Sequence, residues 1–335
     1  MRIGPPGRRA PLAALVVVCA ASAACSHGEP YGVPPYGSDQ PFAPGAPTRL
    51  TYSALSSSGP SWLPDGSELL YTALRIDFPD TTGCLELLPP DGGQATRSIC
   101  PELPVPLDST RALQAGAVSP GGQLAYLRSA RSRIDLGWKS RQLIVTRLDP
   151  HAARRVVLTL PFTSPLSPYS GLSQIRWLDE NRFVYRADLY TVAFLCPHCP
   201  PVDESTGLFI AAVDLRTDPA TFTAVPGTNG ATSVAVADSD TIVFTLSGDS
   251  TVHREALSSG ATSVLKAFAG GATSAVQLAG TRLAALVNGR IQVVDLAAGT
   301  TTSVDTLAYE ELALSPDGKR LVAARAGDLW LLGLP

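Results

Sequence analysis

The sequence predicts an all-β chain: a six-bladed β-propeller with four-stranded antiparallel blades, in which an N-terminal strand closes the last blade. Three observations predict it. A strand-turn-strand phrase recurs along the chain, apolar runs of strand length are broken by Pro, Asp, Asn and Gly, and helical periodicity is nearly absent. The phrase is clearest as Leu314-Ser315-Pro316-Asp317-Gly318 followed by Leu321-Val322-Ala323-Ala324. It returns as Leu63-Pro64-Asp65-Gly66 before Leu69-Leu70-Tyr71, and as Ser119-Pro120-Gly121-Gly122 before Leu124-Ala125-Tyr126. Ile175-Arg176-Trp177 with Phe183-Val184-Tyr185 keeps the rhythm, and weaker copies begin at Val234 and Val276. Six copies at roughly 40 to 60 residue intervals mark radial repetition of one small sheet.

Within each copy the Pro-Asp-Gly turn joins a first strand to a second, because Pro and Gly supply the dihedrals that a tight turn needs. Blade one is expected at 59–63, 68–73, 83–88 and 95–100. Blade two takes 114–119, 123–128, 141–147 and 154–160, and blade three 173–178, 182–187, 208–214 and 221–225. Blades four and five are compact, with Gly248, Gly260, Gly289 and Gly299 at their turns. Blade six starts at Glu311 and has only three strands before the sequence ends at Pro335. Its open edge needs cover, and the alternating segment 48–55 (Thr48-Arg49-Leu50-Thr51-Tyr52) is the strand expected to supply it.

The start of the chain reads as a leader. Arg2, Arg8 and Arg9 precede an apolar run over 10–24 that is shorter than the roughly 20 residues a bilayer demands. Residues 1–24 are therefore expected to be a signal peptide and 25–47, crowded with Pro, Gly, Tyr and Ser, a tether. The propeller is expected over 48–335. Ser22-Ala23-Ala24-Cys25 resembles the lipobox of bacterial lipoproteins, with Ser22 where a leucine is usual. That resemblance makes Cys25 the lipidated residue; the alternative is ordinary cleavage near Ala24, leaving a free thiol. A net charge of -3 and a charged fraction of 16% give no electrostatic footprint for nucleic acid.

Cys84 and Cys100 fall on the third and fourth strands of blade one, across the hairpin Pro89-Pro90-Asp91-Gly92-Gly93. In an oxidising compartment they are expected to bridge, closing a loop of about 16 residues worth roughly 3 kcal/mol on a chain-entropy model. Cys196-Pro197-His198-Cys199 matches the active-site tetrapeptide of strongly oxidising thioredoxin-fold proteins. There a helix start depresses the first thiol's pKa, and here Pro200-Pro201 forbids such a helix. A local disulfide leads; thiol-disulfide exchange and a zinc site with His198 stay open. No Gly-x-Ser-x-Gly elbow occurs. His151 and His253 are read as bystanders, and Asp238 with Asp240, like Glu310 with Glu311, as turn or strand-edge residues, so no catalytic residue, metal or cofactor is assigned.

The extra length of the first three blades lies at 75–82, 129–139 and 188–206, between second and third strands, and is expected to form long loops. Those connections emerge on the same face as the inter-blade links 101–112 and 161–171, so binding residues should gather there: Phe78, Arg131, Arg133, Trp138, Tyr169, Tyr190 and His198.

The Ser-Pro-Asp-Gly phrases with their following apolar strands resemble the repeats of TolB-type, WD-like propellers of the bacterial envelope, and similar phrases occur in the propeller domains of prolyl-oligopeptidase-like enzymes. The resemblance covers about residues 48–334 and is best in blades one, two and six. Taken with the lipobox resemblance and with Ser26 just after Cys25, it implies a monomeric, non-catalytic binding or scaffolding module, lipid-anchored and facing the periplasm from the outer membrane, or at the cell surface. The implied partner is an envelope protein or peptide at the channel mouth or on the long-loop face, or a glycan there, with membrane contact through the anchor alone. The alternative is an envelope enzyme, either a thiol-disulfide exchanger at Cys196 and Cys199 or a hydrolase or lyase with its site in the channel.

Overall fold

A computed structural model describes residues 47–51, 56–77, 80–101, 109–132, 138–149, 152–161, 171–193 and 202–334. The turn phrases behave as their chemistry requires. In the last copy the Gly318 N–H donates to the Ser315 carbonyl at 2.8 Å, with Gly318 in the left-handed region. Ser315 Oγ donates to Asp317 at 2.5 Å and accepts from the Arg320 N–H at 2.9 Å. Ser119 Oγ accepts from the Gln123 N–H in the same way, and Asp65 Oδ1 accepts both the N–H and the hydroxyl of Ser67. Short polar side chains thus satisfy turn amides that no ladder reaches.

These turns organise 24 strands among the described residues, and no helix occurs there. β1 (Thr48–Arg49) stands before the first repeat. Then come β2 (Ser57–Trp62), β3 (Leu69–Asp77), β4 (Asp80–Leu88) and β5 (Arg97–Ile99), followed by β6 (Ser109–Val118), β7 (Gln123–Ser132), β8 (Trp138–Arg147) and β9 (Arg155–Pro161). The third group is β10 (Gly171–Trp177), β11 (Arg182–Ala193), β12 (Val202–Asp214) and β13 (Thr221–Ala224). The two compact groups are β14 (Ala231–Asp238), β15 (Thr241–Leu246), β16 (Thr251–Ala256) and β17 (Ala261–Ala267), then β18 (Thr273–Ala279), β19 (Arg282–Val287), β20 (Arg290–Asp295) and β21 (Thr300–Ser303). The chain finishes with β22 (Glu311–Leu314), β23 (Arg320–Arg325) and β24 (Asp328–Gly333).

The fold is an all-β propeller, but its sheets are not the six separate ones expected. Hydrogen bonding gives four separate four-stranded blades: β10 to β13, β14 to β17, β18 to β21, and β1-β24-β23-β22. The first two repeats merge into one eight-stranded sheet through a single parallel bridge, Gly83 to Ala112. The reason is steric. A Cβ on Gly83 would stand 2.8 Å from the Cβ of Ala112, so only glycine beside alanine lets β4 and β6 approach to bonding distance.

β1 pairs antiparallel with β24, Thr48 facing Leu331 and Arg49 facing Trp330. The Leu50 N–H continues the ladder to the Leu329 carbonyl at 2.8 Å, and Asp328 accepts from Arg49 at 2.5 Å. Residues 52–55 of the segment expected to close the ring lie outside the described residues. The first strands β2, β6, β10, β14, β18 and β22 each lie against the next, and β22 returns to β2. Apolar clusters fill the space between successive groups. Leu127, Leu143 and Val145 meet Ile175, Phe183 and Tyr185, and Leu50, Trp62 and Leu69 meet Val322, Leu329 and Leu331. Second strands such as β15 and β19 are buried on both faces, which is why they read as nearly unbroken apolar runs.

Where it is described, the extra length of the first three repeats is strand rather than loop. β3 and β4 stay paired to Asp77 and Asp80, β7 and β8 to Arg131 and Trp138, and β11 and β12 to Ala193 and Val202. Extended hairpins of β-formers such as Leu189-Tyr190-Thr191-Val192 satisfy their own backbone groups, which long loops could not. Cys84 on β4 and Cys100 just beyond β5 form a disulfide, as their placement across a hairpin implies.

Candidate functional site

Five of the six first strands break register at the same level. The shifts fall between Ser58 and Ser61, Gln114 and Ala117, Ser173 and Arg176, Ala231 and Ser233, and Thr273 and Ala275. Gly59, Ala115 and Gln174 in these bulges have φ of 62°, 51° and 55°, and two of the three are not glycine. A left-handed Ala or Gln costs of order 1 kcal/mol or more, and such strain tends to persist where the surroundings hold it and function uses it.

The bulges surround a central cavity of about 520 Å³. Its wall takes residues from every first strand, among them Ser58, Gln114, Gln174, Ser233, Gln277 and Glu311. Backbone amides freed by the bulges are met by side chains from neighbouring repeats. The Gly59 N–H donates to Glu311 Oε2 at 2.5 Å, the Val234 N–H to Gln174 Oε1 at 3.0 Å, and the Val276 N–H to Ser233 Oγ at 3.1 Å. Arg186 donates to Ser173 Oγ and to the Thr232 carbonyl, each at 2.9 Å. The Thr72 hydroxyl, on the same wall, is buried and has no hydrogen-bond partner among the described residues.

Arg176, Arg186, Glu310 and Glu311 are the charged groups of this wall among the described residues. Desolvation lowers Arg176 to about 10, against the pull of Glu311, so it stays a cation at neutral pH. Desolvation likewise raises the Glu311 carboxyl above its ordinary range, opposed by the Gly59 N–H and by Arg176. Each group perturbs the other, yet they form no ion pair within 4.0 Å.

The channel was expected as one place for a partner or an enzymatic site, but none of the residues that line it was singled out for binding. Glu310 and Glu311 were expected at a strand edge of no consequence, whereas they border the cavity because β22 starts at its mouth. Arg176 carried a usable signal: a charged residue inside a first strand, between Ile175 and Trp177, where burial would favour an apolar one.

The residues expected on the binding face fare differently. Phe78, Arg133, Tyr169 and His198 lie outside the described residues, as do Cys25, Cys196, Cys199 and His151. Arg131 and Trp138 face each other in the backbone register of β7 and β8, and Tyr190 pairs with Ser205 on β11 and β12. All three are near the free ends of the long hairpins, not on loops. Asp238 and Asp240 do act as turn residues: Asp238 accepts the Asp240 N–H, and Asp240 accepts the N–H and hydroxyl of Ser258. His253 differs from the bystander expected. Its Nε2 is 2.9 Å from Asp249 and 2.8 Å from Thr251 Oγ1, and its ring stacks on Phe244. Because one nitrogen faces both groups, the arrangement lacks the relay geometry of a nucleophile-base-acid triad.

No family model matches this chain, and no curated protein matches it in sequence. Solved structures do match in shape. A gluconolactonase from Xanthomonas campestris superposes with a TM-score of 0.56 at 14% identity, over 92% of this chain and 95% of the other. An oligogalacturonate lyase in complex with manganese gives 0.54 at 16% identity over 91% and 97%, and a luciferin-regenerating enzyme 0.51 at 14% over 87% and 96%. The fold is that of the β-propellers. At these identities the propeller likeness extends to architecture and not to chemistry.

Proposed function

We propose that this propeller is a non-catalytic protein- or peptide-binding module of the bacterial cell envelope, anchored by lipid at Cys25. The merged eight-stranded sheet counts as two blades joined by the Gly83 bridge, which makes six blades with the closing strand completing the last. The observation that carries the reading is the channel wall. Its Gln174, Ser233 and Glu311 are held by bulge amides, which leaves a rigid ring of hydroxyls, amides and backbone groups facing the cavity. A preorganised polar ring suits recognition by hydrogen bonds, since little ordering entropy is lost on binding. In a propeller the connections between second and third strands leave by the same face, so the hairpins β3-β4, β7-β8 and β11-β12 offer a second contact surface, with Arg131, Trp138 and Tyr190 near their described ends.

Crosslinking the lipidated protein in intact envelopes, with a photoreactive residue at position 138, tests this. A discrete crosslinked protein, lost when Arg131 is changed to Ala, is the expected result. The absence of any crosslink from the hairpin face or from the channel rim would overturn the reading. Retention of a Cys25→Ser variant in the membrane fraction would overturn the anchor.

A further inference from the structure

Around the ring the first strands run β2, β6, β10, β14, β18, β22, so β10 and β22 are three places apart in either direction and face each other across the cavity. The wall's two cations belong to one side, Arg176 on β10 and Arg186 on the adjoining β11. Its two acids belong to the other, Glu311 at the start of β22 and Glu310 just before it. Among the described residues the rest of the lining is neutral, so these four charges sum to zero but are separated by sign across a cavity of about 520 Å³.

Among the described residues Arg176 makes no ion pair within 4.0 Å with either glutamate. Its one hydrogen bond among them is from Nη1 to the carbonyl of Ile175 at 2.8 Å, and the rest of its planar fork meets no partner there. Glu311 uses one oxygen, Oε2, on Gly59. Glu310 is exposed to solvent. A small anion entering here would meet Arg176 but be repelled by two carboxylates, and a small cation would meet the reverse. A solute carrying both signs is attracted at both ends. The buried Thr72 hydroxyl beside Gly59 is a further donor on the same wall that has no partner among the described residues.

We infer that the channel binds a small zwitterion, an amino acid or short peptide, whose carboxylate lies on the Arg176 guanidinium and whose ammonium lies at Glu310 and Glu311. This rests on the reading of the channel as a binding site. The cavity is in the size range of small-molecule pockets, roughly 300 to 1,000 Å³. An Arg fork receives a carboxylate through two parallel N–H···O bonds, which fixes the ligand's orientation as well as its charge.

Calorimetric titration of the whole protein with trialanine, N-acetyl-trialanine, trialanine amide and free alanine tests the inference. Trialanine or alanine should bind, and blocking either terminus should weaken binding at least tenfold. Alanine binding as well as trialanine points to a free amino acid, and weaker alanine binding to a peptide end. Arg176→Gln should erase the preference for a free carboxylate while keeping that for a free amine, and Glu310→Gln should do the opposite. Equal binding of free and blocked forms, or no binding of any zwitterion, overturns the inference, and because the blocked ligands are tried on the unaltered protein, this result does not depend on how the variants fold. Envelope crosslinking that persists in that case leaves the binding-module reading standing. Zwitterion binding without any crosslinked partner would remove that reading and keep this one.

Discussion

Replacing Leu50 with Ala probes ring closure at a single side chain. Leu50 is 1% exposed and packs in one cluster with Trp62 and Leu69 of the first repeat and with Leu329 and Leu331 of the last strand. It therefore ties the earliest described segment to both sides of the seam. Burying a leucine is worth about 1.5 to 3 kcal/mol in transfer alone. The cavity left by truncation raises the cost to about 3 to 4 kcal/mol in a wall that cannot collapse. In a structure of this size each kcal/mol lowers the melting temperature by about 2 °C, so a fall of about 6 to 8 °C is expected. Thermal unfolding followed by circular dichroism measures it, with Leu50→Met as a volume-conserving control that should stay within about 3 °C of the parent. Coincident melting of Leu50→Ala and the parent would mean that residues 48–51 do not hold the ring shut.

Three further outcomes follow from the same structure. Gly83→Val should destabilise by about 1 to 3 kcal/mol, because the new side chain drives β4 away from Ala112; pairing it with Ala112→Gly should recover part of the loss, and simple additivity of the two in chemical denaturation would count against the bridge. Cys84→Ser with Cys100→Ser opens a bridge of sequence separation 16 and should cost about 3 kcal/mol, read as a lower denaturation midpoint than that of the oxidised parent. Asp249 is held down at about 2 by hydrogen bonds from Thr251 and His253. A depressed carboxylate stabilises above its unfolded pKa and loses that contribution as pH falls through the folded value. Asp249→Asn should thus melt below the parent at pH 5 to 7, by no more than about 1 kcal/mol for a group this solvated. The gap should close as pH approaches 2, and a gap that widened in acid would contradict the assignment.

Apolar runs of strand length and Pro-Asp-Gly turns are local signals, and through them the sequence by itself determined the strands, their hairpins and the repeat. It also placed Cys84 opposite Cys100, because both sit on strands joined by one legible turn. The long hairpins were misread as loops because Thr, Tyr and Val in 188–206 look alike in either state until a facing strand takes up their amides. The merged sheet depended on a missing Cβ at Gly83 meeting Ala112 from another repeat, a contact that no window of sequence contains. The channel site lay further still from view. Arg176 and Glu311 are ordinary charged residues within their own strands, and only winding the strands about an axis sets cations on one wall and acids on the other. Local chemistry fixes what a strand is, but which strands face each other across a cavity is settled by the closing of the ring, since that is where their side chains lose water together.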